Sequence, residues 1–294
     1  LALFLSYGTP HDPWGHKNVP EPYLDAFRDV DFSLPPNYRQ GNDPHADAWA
    51  RLSDDERAEI TEWMRVYYAM TMNLDWNIGR LLAAVDDLGL RDDTIVVFTS
   101  DHGELFGAHG RRAKNIFYDE AVRVPFLVRW PGHTRAGTES DVCLNTPDIM
   151  PTLFALLGLP VPEDVEGMDL SHAVLSEPGP EPDAAFMQCT GATAAWEDGH
   201  EWRALRTKQY TYAVYRVDAQ ELLFDNVVDP YQMTNLAKDP AHTEILLRFR
   251  AMLEARMLAL NDRFEACTWY RDHWVEDRCI VRTATLGSGK RDRE

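Results

Sequence analysis

The run Thr94-Ile95-Val96-Val97-Phe98-Thr99-Ser100-Asp101-His102-Gly103-Glu104 constrains the fold of this chain more than any other stretch. Its first six residues are β-branched or aromatic, and such an unbroken run reads as a strand buried on both faces. It then breaks into an acid, an imidazole and a glycine. In open α/β sheets, ligands gather at the carboxyl ends of strands. Asp101 and His102 on such a turn can ligate a metal, handle protons, or cap the turn that follows.

Charge narrows the partners. The 294 residues carry 29 Lys and Arg against 48 Asp and Glu, a formal net charge of -19. Non-specific nucleic-acid binding needs a basic footprint, so that class is excluded. An anionic substrate would have to bind at a local cationic pocket or metal, against the overall field. No apolar run is long enough to span a bilayer. Cys143, Cys189, Cys267 and Cys279 are scattered and form no CxxC pair, which argues against a zinc ribbon or thioredoxin-like motif. Disulfides among them, and the redox compartment, stay open.

The rest of the chain alternates strands and helices. Leu1-Ala2-Leu3-Phe4-Leu5-Ser6-Tyr7 reads as a core strand, with no initiator Met, basic n-region or cleavage site before it. Domains seldom open in their core, so the chain is expected to be a fragment or processed product lacking an N-terminal part. A loop rich in Pro, Asp, Asn, Gly and His follows over 8–51. Loops this long are often functional. Ser53-Asp54-Asp55-Glu56 is a capping box. The helix it opens runs to about Leu88, with Ile60, Met64, Tyr67, Leu74, Ile78, Leu81 and Val85 on its apolar face and Gly89 as its C′ residue. A glycine-flanked basic loop spans 107–114, and 124–130 reads as a second strand closed by Pro131-Gly132. Thr146 caps a helix with Pro147 at its first position, ending near Leu157-Gly158. Ser176-Glu177-Pro178-Gly179-Pro180-Glu181-Pro182-Asp183 reads as a linker. Beyond it, 202–206, 210–215 and 221–224 read as an antiparallel meander, and 243–260 as a helix. The polar tail from Arg282 reads as disordered.

Four pieces carry the chemistry: Pro10-His11-Asp12-Pro13, Ser100-Asp101-His102-Gly103, His109-Gly110 with Lys114, and the stretch Tyr118-Asp119-Glu120-Ala121-Val122-Arg123-Val124-Pro125. With Phe4-Leu5-Ser6-Tyr7-Gly8-Thr9-Pro10-His11, Trp130-Pro131-Gly132, Asp148-Ile149-Met150-Pro151-Thr152-Leu153, Leu223-Phe224-Asp225, Asp229-Pro230 and Asn235-Leu236-Ala237, they stand in one order over nearly the whole chain. That order resembles the type I, formylglycine-dependent sulfatases of the alkaline-phosphatase-like superfamily. The resemblance implies an α/β alkaline-phosphatase-like sandwich with a mixed central sheet whose N-terminal strands are missing. A smaller C-terminal α+β subdomain with an antiparallel sheet would follow. The domains would be 1–178, the later portion of the catalytic domain, then 184–281, then the tail 282–294.

The resemblance also implies roles. Asp101 and His102 match the family's metal-binding pair, the metal being calcium, whose hard-cation chemistry suits oxygen ligands. The other ligands would lie in the missing part. His102 is less typical of such a site and is an alternative hydrogen-bond partner of the sulfate or nucleophile. Lys114 matches the lysine that contacts the sulfate. His11 matches the histidine that contacts the sulfate or ester oxygen and could protonate the departing alcohol. His109 matches a turn near the leaving-group side. The nucleophile motif, Cys/Ser-x-Pro/Ala-x-Arg, does not occur in this chain. Cys267-Thr268-Trp269-Tyr270-Arg271 has the spacing, but Trp269 stands at the Pro/Ala place. The expected activity is therefore sulfuric ester hydrolysis by a longer protein, with 1–294 alone inactive, and with a formylglycine-generating maturation enzyme as a partner.

Trp14, His16, Tyr23 and Tyr38 could stack on sugar rings or anchor their loop. In Trp196-Glu197-Asp198-Gly199-His200-Glu201-Trp202-Arg203, His200 and Arg203 could hold the leaving group or satisfy a local turn. The substrate class expected is a sulfated saccharide, short rather than polymeric because the surface is acidic. Alternatives are a phosphonate monoester hydrolase or phosphodiesterase of the same superfamily, and a non-catalytic binding protein on a sulfatase scaffold. The compartment is unread; relatives of this kind are often periplasmic or secreted.

Overall fold

The structure is a computed structural model that describes residues 1–38, 45–46, 51–192, 195–276 and 279–280. The expected disordered tail lies outside the described residues. The chain forms two compact units, one of residues 1–114 and 123–136, the other of residues 115–122 and 137–294.

The first unit is built on a short helix α1 (Glu21–Asp25) and a long helix α2 (Asp54–Asp87). Ser53 caps α2: its side chain accepts from the Glu56 N–H, and the Glu56 carboxylate accepts from the Ser53 N–H at 2.7 Å. This is the capping box read from the sequence. Gly89, with φ 70°, adopts the left-handed conformation that suits glycine just past the helix end. At 34 residues α2 is about 50 Å long. Its N-terminal half buries Ile60, Val66, Ala69 and Met70 against Trp14, Val19, Leu52 and Phe106. Its later apolar positions, Leu74, Ile78, Leu81 and Val85, are only half-buried.

Strands β1 (Val96–Thr99) and β2 (Phe126–Arg129) pair antiparallel, Val96 opposite Arg129 and Thr99 opposite Phe126. Two expectations fail here. The 94–99 run is not buried on both faces: β1 is half-buried with Thr99 exposed, because among the described residues β2 is its one hydrogen-bonded neighbour. Residues 1–7 form no strand. They are extended coil with Leu1, Leu3, Phe4, Leu5 and Tyr7 exposed, since no described strand lies alongside to accept their backbone groups.

The second unit contains helices α3 (Asp119–Val122), α4 (Thr146–Leu156), α5 (Ser171–Val174), α6 (Thr243–Ala259) and α7 (Cys267–Trp274). Strands β3 (Ala185–Cys189), β4 (Trp202–Arg206), β5 (Tyr210–Tyr215) and β6 (Glu221–Asp225) form an antiparallel meander in sequence order. The last three strands were legible in the sequence; β3 was missed behind the Pro-rich stretch. A two-stranded ribbon, β7 (Val275–Glu276) with β8 (Cys279–Ile280), closes the described chain. Leu205, Tyr212 and Leu223 pack on Leu246, Phe249 and Leu253 of α6, the core of this unit. Asn145, one residue earlier than expected, caps α4, with Asp148 completing a capping box.

The units do not divide at 179–183. Residues 115–122 belong with the meander because Arg206 donates to both oxygens of Asp119 at 3.0 and 3.1 Å, and the Trp202 indole donates to Asn115 O at 3.0 Å. The Asn145 side chain joins the same sheet through Phe186 O at 2.6 Å. Among the described residues, no helix is long and apolar enough to cross a membrane.

Candidate active site

The site of interest lies in the first unit, where β1 ends. Ser100 turns the chain by donating to His102 O at 2.9 Å, and the Asp101 carboxylate accepts from the His102 N–H at 3.0 Å. The Asp101 side chain is 83% exposed. His102 Nδ1 lies 2.8 Å from Gly103 O, so it carries the proton and donates to that carbonyl. Its Nε2 then faces Asp101 Oδ2 at 3.4 Å.

The following loop is a set of tight turns. Leu105 N–H donates to Ala113 O and Gly107 N–H to Arg111 O, both at 3.0 Å. Glu104 clamps the loop from inside, its carboxylate accepting from the Ala113 N–H at 2.7 Å. Burial raises the Glu104 carboxyl above its ordinary range, and the accepted backbone N–H groups and the charge of Lys114 pull against that. Gly107 is required: its φ is 94°, and a Cβ there would come within 3.2 Å of the Tyr38 ring. The loop delivers Lys114, whose Nζ lies 2.7 Å from His11 Nε2 although 103 positions separate them. The His11 and His102 rings meet edge to face with centroids 6.0 Å apart. His11 is aimed by its neighbours: Trp14, buried beside Phe106, donates its indole N–H to Pro10 O at 2.9 Å.

Four of the expected residues, His11, Asp101, His102 and Lys114, therefore come together. Three others have different surroundings. His109 is fully buried; its N–H donates to Asn37 O at 3.1 Å and its Nε2 meets Asn37 Nδ2 at 3.0 Å. It ties the loop to the 34–38 segment, where the sequence reading set it in a turn near the leaving-group side. Arg203 is fully buried in the second unit. Its guanidinium binds both oxygens of Asp262, and also Tyr270 Oη, Cys189 O and Trp202 O. All five N–H donors are committed, which corrects the expectation that it reaches a substrate. His200, on the exposed turn before β4, belongs to that second unit as well.

The aromatic platform is also corrected in part. Trp14 is a core residue, and Tyr23 and Tyr38 pack against the same cluster. His16 is exposed and pairs with Glu62 at 2.7 Å. Two residues that sequence reasoning passed over join the site: Asp12, whose Oδ1 is 2.7 Å from His11 Nδ1, and Arg112, 3.4 Å from Asp12 Oδ2. Their signal was present in the His11-Asp12-Pro13 and Arg111-Arg112 strings.

A cation fits this place in part. Asp101 Oδ2 and His102 Nε2 face each other at 3.4 Å, a carboxylate oxygen and an imidazole nitrogen of the kinds that ligate cations. Calcium, however, takes about six to eight oxygen ligands. Among the described residues, no group of three or more His, Cys, Asp or Glu side chains converges on one point.

Comparison with known proteins decides the family. The sulfatase family model matches residues 2–159. The chain belongs to the sulfatase family. A second model, for the C-terminal part of N-sulphoglucosamine sulphohydrolase, matches residues 107–259. The ulvan-active sulfatase of Formosa agariphila is 37% identical over 270 residues, covering 90% of this chain and 49% of that protein. Among solved structures, yidJ from Bacteroides fragilis, described as a sulfatase, superposes with a TM-score of 0.72 at 29% identity, covering 87% of this chain and 53% of that one. The phosphonate monoester hydrolase of Agrobacterium radiobacter gives 0.69 at 28% identity, covering 84% and 54%. The α/β fold of these neighbours is the fold of this sulfatase chain. It spans about half the length of the curated relatives it matches.

Proposed function

We propose that this chain carries the leaving-group and oxyanion half of a sulfuric ester hydrolase that acts on sulfated carbohydrates. The observation that carries the reading is the Lys114 ammonium 2.7 Å from the His11 imidazole, beside the Asp101–His102 turn, on a chain with a net charge of -19. Two hydrogen-bonding groups converging from distant parts of an acidic chain make a local site for a tetrahedral anion. Lys114 would hold a sulfuryl oxygen with a compact charge, and its stabilisation grows as negative charge develops. His11 as the imidazolium, through its Nε2–H, would hydrogen-bond the ester oxygen and hand that proton to the departing alcohol, returning to the neutral Nδ1–H ring.

The reading takes a divalent cation, calcium, held in part by Asp101 and His102 and otherwise from outside these 294 residues; when bound it would neutralise charge on the sulfuryl oxygens. A formylglycine nucleophile, and the enzyme that makes it, also lie outside them. The sugar class is supported by the C-terminal match, whose model is named for a sulphoglucosamine hydrolase. Export to the periplasm or beyond is proposed from the family resemblance alone.

The test is hydrolysis of sulfated mono- and disaccharides by the full-length gene product. Lys114→Ala should lower kcat/KM about 100- to 1000-fold, the usual cost of one lost oxyanion donor. Loss of less than a few-fold would contradict the reading. The phosphonate hydrolase likeness supports a second reading, since a phosphonate oxyanion would use the same groups. Faster turnover of phosphonate monoesters than of sulfate esters would select it.

A further inference from the structure

We infer that Asp12 is a positioning residue that fixes the tautomer and aim of His11, and that Arg112 holds Asp12 in place. The inference deepens the oxyanion-site reading and rests on it for its functional meaning.

The ring of His11 is bounded at both nitrogens. At Nε2 stands Lys114 Nζ, 2.7 Å away. An ammonium has donors and no acceptor, so Nε2 of the neutral ring must be the lone-pair nitrogen. At Nδ1 stand two acceptors, Asp12 Oδ1 at 2.7 Å and Asp12 O at 3.0 Å. The proton therefore sits on Nδ1, and each end of the ring demands the same tautomer. Of the two acceptors the carboxylate is nearer and ionised, and charge-assisted hydrogen bonds are roughly twice as strong as neutral ones.

Asp12 does not hang free in turn. Its second oxygen lies 3.4 Å from Arg112 Nη2. The Arg112 guanidinium lies over the Trp63 ring, 5.3 Å from its centroid. Trp63 is on α2 and packs against the first unit's core, where its ring meets Trp14 at 5.7 Å. A continuous relay thus runs from the long helix through Trp63, Arg112 and Asp12 to the imidazole. It belongs entirely to the first unit. A carboxylate on one ring nitrogen orients the other toward its ligand, a use of histidine common to metal and catalytic sites. Here the oriented atom is the one that meets Lys114, so the pair presents one lone pair and one ammonium in fixed relation.

The inference is tested on the 294-residue chain itself, with ring-nitrogen-labelled histidine and long-range proton–nitrogen spectra of the neutral His11 ring. Wild type should show the proton on Nδ1. In a Lys114→Met background, which frees Nε2 of the ammonium, the ring should stay Nδ1–H with Asp12 present, and Asp12→Ala should move the majority of the population to the Nε2–H form. Asp12→Asn keeps a side-chain oxygen acceptor and should restore Nδ1–H. An Asp12→Ala ring that stays Nδ1–H in that background would show that the backbone carbonyl sets the tautomer and would overturn the inference. An Asp12→Asn ring that behaves like the alanine variant would overturn it as well. Because the spectra need no substrate, the two readings fail separately. If inorganic sulfate leaves the His11 signals unmoved, the oxyanion site is contradicted while the tautomer result stands by itself.

Discussion

At Arg203 a guanidinium that a sequence reading sets beside the substrate instead uses five donors inside its own unit, two of them on Asp262. Both side chains are within 3% of complete burial. Removing one member of such a pair strands a buried charge, which costs about 3–5 kcal/mol. Arg203→Ala should therefore lower the urea midpoint strongly. A loss below about 1 kcal/mol would mean that the pair is not worth what its geometry implies. Arg203 and Lys114 look alike on paper, two basic residues near aromatic and histidine neighbours. Only burial and the hydrogen-bond inventory separate them: one is consumed by protein acceptors, and the other is brought to a half-exposed loop end beside His11. The same distinction sorts His11 from His109 and explains why residue type and spacing did not.

Among elements, the meander and α6 are held by a clamp that no motif announces. Glu221 of β6 accepts from Tyr212 of β5 at 2.6 Å and from Arg250 Nε of α6 at 2.7 Å. The Arg250 hydrogen bond, with that of Tyr212, holds the Glu221 carboxyl below its ordinary value of 4.5. A carboxyl depressed on folding stabilises the native state above its unfolded pKa and loses that contribution as pH falls through the folded one. Glu221→Gln should thus cost about 1 kcal/mol at pH 7, discounted for the half-exposed Arg250. The gap to wild type should narrow as pH falls from 4.5 through the lowered value of the folded carboxyl. A gap unchanged across that range in denaturant titrations would contradict the clamp. Elements with local signals were legible in the sequence: the Ser53–Glu56 cap, the Gly89 stop, and the short aromatic and aliphatic runs of β4 to β6. What failed depended on partners far along the chain. The 94–99 run has the composition of a doubly covered strand, yet β1 is half-buried beside β2. Residues 1–7 have the composition of a strand without a neighbour to pair with. β-propensity reports that a segment fits a covered sheet, and it does not supply the cover.

For the whole molecule, the family was legible because motif order survives where single motifs are ambiguous, and the match to residues 2–159 bears that order out. Domain limits were less legible: residues 115–122 join the second unit through Asp119 and Arg206, an ion pair 87 positions apart that no linker composition reveals. On the proposed reading, a net-negative chain assembles one small anion site from His11 and Lys114. Its most direct test is titration of the 294-residue chain with inorganic sulfate, read by the His11 ring and Lys114 Nζ resonances beside a Lys114→Met control. Saturable shifts should appear at both groups in wild type, and the His11 shifts should vanish in the control. Shifts that persist undiminished in Lys114→Met, or their absence in wild type, would contradict that reading.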